Sequence, residues 1–137
     1  MLLDKRSTQH DAPRAIALLE QAAADKSGTA MLRLGDLAAD GIDTPRDEQA
    51  AMAEWRRAAQ EGRVSLALVR LGDAWLAGKG VKPDPLMAAT YYSMARLRNE
   101  PTASEHLAAM HADADILAKA NAAANRWHMD GERTLPE

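Results

Sequence analysis

The stretch Ala30-Met31-Leu32-Arg33-Leu34-Gly35-Asp36 returns thirty-seven residues later as Ala67-Leu68-Val69-Arg70-Leu71-Gly72-Asp73, with Ala, Arg, Leu, Gly and Asp in register. The same offset sets Gly41 on Gly78, Asp47 on Asp84, Ala51 on Ala88, Trp55 on Tyr92 and Ala58 on Ala95. So many matches in one frame mark a tandem repeat, and a repeat of this period means stacked supersecondary units. A half-unit precedes them at an offset of 36, which carries Asp11 onto Asp47, Ala15 onto Ala51 and Ala22-Ala23 onto Ala58-Ala59.

Each unit reads as two helices. The first is predicted over about 29–40 and 65–77, stopped by Gly41 or Gly78, because glycine enters the left-handed region at a helix end without steric cost. A turn follows, Ile42-Asp43-Thr44-Pro45 in one copy and Lys79-Gly80-Val81-Lys82-Pro83 in the other. Asp47 or Asp84 then stands where a carboxylate can accept from unpaired amides of the second helix, and Pro85 suits the first helical position. The second helices are predicted over about 47–61 and 84–98. Apolar residues from Ala12 to Ala24 predict a helix before the first full unit. Thr102 and Glu105 have capping-box spacing for a short helix reaching about Met110. Ile116, Ala120, Ala124 and Trp127 share one face of a last helix over about 112–129. Asp130 to Glu137 reads as a frayed tail.

Composition agrees with this reading and excludes several functions. The chain is 47% hydrophobic and 27% charged, a globular profile, and no apolar run approaches the ~20 residues that span a bilayer. Met1-Leu2-Leu3 runs directly into Asp4-Lys5-Arg6, the wrong order for a secretory signal, so a cytoplasmic location is expected, or a periplasmic one if a leader has been removed. The chain has no cysteine, which rules out disulfides and thiolate metal sites. A net charge of −3 argues against a general nucleic-acid binder.

The pattern Ala30, Leu34-Gly35, Gly41, Asp47, Ala51, Trp55, Ala58-Ala59, Gly62 resembles a unit of the Sel-1-like repeat family, relatives of the tetratricopeptide repeats. The second copy is closer, with Gly78-Lys79-Gly80-Val81 ahead of Asp84; the first departs from it in Gly41-Ile42-Asp43-Thr44, so its turn is open to a different path. The resemblance implies an all-α, right-handed solenoid of tandem helix pairs, about seven helices in all. It divides the chain into an N-terminal tail 1–10, one domain over 11–130 (half-repeat 11–26, repeats 28–62 and 65–99, capping helices 102–129) and a tail 131–137. Gly35 and Gly72, costly inside helices, are expected where Ala58-Ala59 or Ala95 of a neighbouring helix packs on the backbone, with Trp55 and Tyr92 plugging the junction to the next unit.

A fold of this type implies a protein partner and no reaction of its own. The expected surface is the concave one, through Arg33, Asp36, Leu37, Arg70, Asp73 and Ala74. There Arg33 and Arg70 would form a ladder gripping acidic groups or backbone carbonyls, unless each simply pairs within its helix with the Asp three residues on. The helix before the first full unit lacks its own first helix. Its residues Ile16, Leu19 and Ala23 therefore predict self-association as a homodimer through this end, or a chain cut from a longer protein. No catalytic residue, cofactor, metal, nucleic acid or membrane is expected. His111, Asp113 and Asp115 sit two apart and diverge on a helix by about 200°, so they cannot converge on an ion. Lys79 reads as a solvated turn residue, since Gly78-Lys79-Gly80 lacks the spacing of a phosphate loop. An inhibitor or immunity protein is the alternative to an adaptor; an enzyme acting on cell-wall or antibiotic-like substrates is the third reading.

Overall fold

The computed structural model describes residues 2–136, with side chains from residue 13 onward. Seven helices follow one another without a strand among these residues: α1 (Leu2–Ala24), α2 (Gly28–Asp40), α3 (Glu48–Gln60), α4 (Ser65–Ala77), α5 (Pro85–Leu97), α6 (Ala103–Met110) and α7 (Ala114–Met129). Each packs on its neighbours in the stack: α1 on α2, α2 on α3, α3 on α4, α4 on α5, and α5 on both α6 and α7. The helices thus form a solenoid of pairs. We refer to α2, α4 and α6 as first helices and to α3, α5 and α7 as second helices.

The turns show how two different sequences reach one geometry. Gly41 and Gly78 are left-handed, at φ 69° and 76°. Two residues on, Gly80 (φ 81°) has its counterpart in Asp43 (φ 62°). Asp tolerates that region better than most side chains, so the first copy follows the same path without the glycine. The hydrogen bonds agree: Asp47 N–H donates to the Ala38 carbonyl and Asp84 N–H to that of Trp75, both at 2.9 Å. Asp47 then accepts from Ala50 N–H, and Asp84 from Leu86 and Met87 N–H, as expected of caps.

The glycines inside α2 and α4 serve a different contact from the one the sequence suggested. A Cβ on Gly35 would lie 2.5 Å from the Trp55 ring, and one on Gly72 would lie 2.5 Å from the Tyr92 ring. The close neighbour is therefore the aromatic of the same unit's second helix, laid over the bare backbone, and not Ala58-Ala59 or Ala95. Those alanines are fully buried in the core, beside Leu68, Leu71, Tyr91 and Met94.

Three boundaries also differ. The helical backbone of α1 runs through Pro13 to Leu2, so the expected tail 1–10 is mostly helix. The capping box of α6 does not form: Thr102 is helical in backbone and its hydroxyl donates to Glu100 instead. α7 begins at Ala114 because Asp113 caps it, accepting from Ile116 N–H at 2.9 Å. The expectation of a frayed tail after residue 130 is overturned: Leu135 is 2% exposed, and its neighbours hydrogen-bond to second helices.

Candidate functional site

Between α2 and α4 lies a groove of about 370 Å³. Its floor is small and apolar, Ala39, Ala51, Ala74 and Ala77 with the edge of Trp55, and its rim carries Asp36, Asp40, Glu48 and Asp73 against Arg70 and Lys79. The floor is shallow because alanines repeat where helices approach closely. Of the six residues the sequence pointed to here, Asp36, Arg70, Asp73 and Ala74 line the groove. Arg33 is exposed and Leu37 half-buried, and neither borders it. Ala74 is almost fully buried, so it shapes the floor and offers little surface.

The repeated acids are held by repeated partners. Asp36 accepts from the Trp55 indole N–H at 3.0 Å and forms an ion pair with Arg70 at 3.0 Å. One unit along, Asp73 accepts from the Tyr92 hydroxyl at 2.5 Å and faces His106 Nδ1 at 3.1 Å. In place of a ladder of Arg33 and Arg70, the structure shows a ladder of pairs between units, Asp36 with Arg70 and Asp73 with His106, 34 and 33 residues apart. Neither the in-helix pairing three residues on nor a row of free arginines describes it. Arg70 is already committed to Asp36, while Arg33 has no ion-pair partner among the described residues. Burial, then the hydrogen bond to Asp73 and its charge, push the Tyr92 phenol well above its ordinary pKa. Tyr92 therefore remains a donor at any physiological pH. Its ring lies 5.3 Å from that of His106, centre to centre.

Trp55, Asp40, Glu48 and Lys79 were not singled out as site residues. Trp55 had been read as core alone, and it is both: 7% exposed, with its N–H turned to the groove acid. Lys79 is exposed, as a turn residue should be, yet the turn carries it to the rim. At the other end, Ile16 and Leu19 are half-buried, and Ala23 is buried at 1% exposure with its carbonyl accepting from Arg57. Ala23 thus belongs to the core and cannot serve an open end; Leu18, 60% exposed, is the large apolar residue that α1 presents among the side chains described. Among the described residues no group of three or more His, Asp or Glu side chains could hold a metal. No helix among them is long and apolar enough to cross a membrane.

Helix pairs stacked in register, with each unit's carboxylate tied to the next unit's base, define an α-solenoid repeat protein. The chain belongs to the Sel1 repeat family: the Sel1 repeat model matches residues 5–27, 28–62 and 65–99, well over half of it. Similar solved structures include a bacterial antigen and another repeat protein. A protective antigen of uropathogenic Escherichia coli strains, described as displaying an SLR fold, superposes with a TM-score of 0.74 at 24% identity. That match takes in 90% of this chain but only 29% of the antigen, so this chain spans less than a third of that protein. A Sel1 repeat protein from Oxalobacter formigenes superposes with a TM-score of 0.64 at 27% identity, over 77% of this chain and 83% of that one. No curated protein matches in sequence. Sel1 repeats are generally protein–protein interaction modules and typically non-catalytic.

Proposed function

We propose that the chain is a non-catalytic interaction module that receives a segment of a partner protein in the groove between α2 and α4. The observation that supports this most is the groove itself: an alanine floor that admits a side chain, under a rim where four carboxylates face two cations. Since Arg70 is spent on Asp36 and Glu48 pairs with Arg46 at 2.8 Å, the exposed Asp40 is the charge most available to a newcomer. A partner segment that brings a lysine or arginine suits this rim better than an acidic one would, which reverses the preference expected from the aligned arginines.

The test is affinity capture from the source organism's lysate with three full-length baits: wild type, Ala77→Trp and Asp40→Lys. Ala77 is exposed on the groove floor, so the tryptophan fills the groove without entering the core. One dominant partner lost with Ala77→Trp and weakened with Asp40→Lys supports the reading. The same partner held equally by all three baits sinks it. Reversing Arg70 would be a poor test, because it breaks the pair with Asp36 and sets two carboxylates together at the rim, changing the groove's charge in two ways at once.

A further inference from the structure

On the opposite face, residues 131–136 fold back as a strap across the second helices, and their contacts are of three kinds. Backbone carbonyls are gripped by side chains: that of Arg133 accepts from Gln60 Nε2, and that of Pro136 from the Tyr91 hydroxyl and from Arg56 Nη1. One apolar side chain, Leu135, is buried at 2% exposure. One carboxylate, Glu132, lies among Arg98 Nε at 2.9 Å, Arg63 at 3.1 Å and His128 Nδ1 at 2.9 Å. Arg133 and Thr134 between these anchors face solvent. Main-chain grips, a single apolar anchor and one charge are the elements by which grooves recognise extended peptides.

The seat is built for an anion that the helices themselves do not supply. The Arg98 side chain is only 8% exposed, lies 5.0 Å over the Trp127 ring and donates from Nη1 to the Ala59 carbonyl. Among the described residues its sole carboxylate is Glu132 of the strap. The strap also leaves α7 through two left-handed residues, Gly131 at φ 84° and Glu132 at φ 57°. The second of these is a costly conformation for a side chain with a Cβ, so the closed strap is held by its contacts and not by local preference.

We infer that this seat on α3, α5 and α7 is a second protein-binding site, for an extended segment of another protein carrying a carboxylate three residues ahead of a leucine, and that the strap occupies it in cis. A tethered occupant competes at high effective concentration, so the closed chain binds such a segment weakly and an opened chain binds it well.

The probe is a fluorescent synthetic peptide of residues 131–137, titrated against the full chain and against the full-length double variant Glu132→Ala/Leu135→Ala, whose strap has lost its charge and anchor. The expected result is binding to the variant at least about tenfold tighter than to wild type, lost when the peptide's own leucine is replaced by alanine. A variant that unfolds cooperatively yet binds the peptide no better than wild type overturns the inference. Should the variant not fold, hydrogen exchange on wild type decides: amides of 131–135 exchanging ahead of the helices show that the seat opens on its own, whereas exchange only through global unfolding overturns it. A wild-type dimer that the peptide dissociates would also overturn the partner reading, assigning the seat to a second copy's strap.

Discussion

The face made by the first helices and the face made by the second helices both hold carboxylates against cations, yet they do so in different surroundings. Asp36 and Arg70 keep 30% and 35% of their side chains exposed, and the groove beside them is open. Glu132 and Arg98 keep 8% each, under a strap. An exposed pair contributes about 0–1 kcal/mol, whereas removing one member of a buried pair leaves a charge stranded at a cost of about 3–5 kcal/mol. The pairs of the repeated face therefore cost little to break, while stability is concentrated on the face that does not repeat.

The largest break in that contrast is Glu132→Ala, which should lower unfolding stability in urea by about 3 kcal/mol, several times the effect of Arg70→Ala on the other face. Equal effects would show that the strap is peripheral. The same contact is legible in pH. Burial alone would raise the Glu132 pKa, but hydrogen bonds from His128 and Arg98 and the charges of Arg98 and Arg63 outweigh it and hold the carboxyl below the ordinary value of 4.5. A depressed folded pKa contributes stability that is complete above 4.5 and is lost as pH falls through the folded value. The stability gap between wild type and Glu132→Ala should accordingly be widest above pH 4.5 and close on acidification; a gap that widens in acid would contradict the assigned contacts.

Gly72→Ala comes next. A rigid ring stands 2.5 Å from the new Cβ, so overpacking and damage to the Tyr92–Asp73 hydrogen bond should exceed the gain of about 1 kcal/mol in helix propensity, for a net loss of about 1–2 kcal/mol in urea melts. Smallest of all, Asp43→Gly should raise stability by less than about 1 kcal/mol by relieving a left-handed side chain. A loss there would mean that the Asp43 side chain contributes to the turn.

The repeat, the helix pairs and the caps at Asp47 and Asp84 could be read from sequence because they are local and occur twice. The ladder was half legible. Alignment found Arg33 with Arg70 and Asp36 with Asp73, but Asp36 lies three residues from Arg33 and thirty-four from Arg70, and sequence offers no way to prefer the distant pair. Trp55 and Tyr92 were read as junction plugs, since nothing local reveals that their polar atoms reach an acid nineteen residues back. The strap was hidden altogether. Gly131-Glu132-Arg133-Thr134-Leu135-Pro136 has the composition of a loose end, and its order comes from Arg56, Gln60, Tyr91 and Arg98, none of them near it in the chain.

The ladder also has a direction. Each carboxylate reaches forward, Asp36 to Arg70 and Asp73 to His106, so each of the two full units offers an acid ahead and a base behind. Head-to-tail linkage of this kind is indifferent to how many units are joined. A copy of residues 28–64 spliced in after residue 64 would meet Asp36 with its own arginine and Arg70 with its own aspartate, lengthening the array by one rung with no rung broken. Exchanging the two full units would break no rung either, since each carries the same arginine and aspartate three residues apart. The chain thus carries, in two residues per unit, the means to grow by duplication.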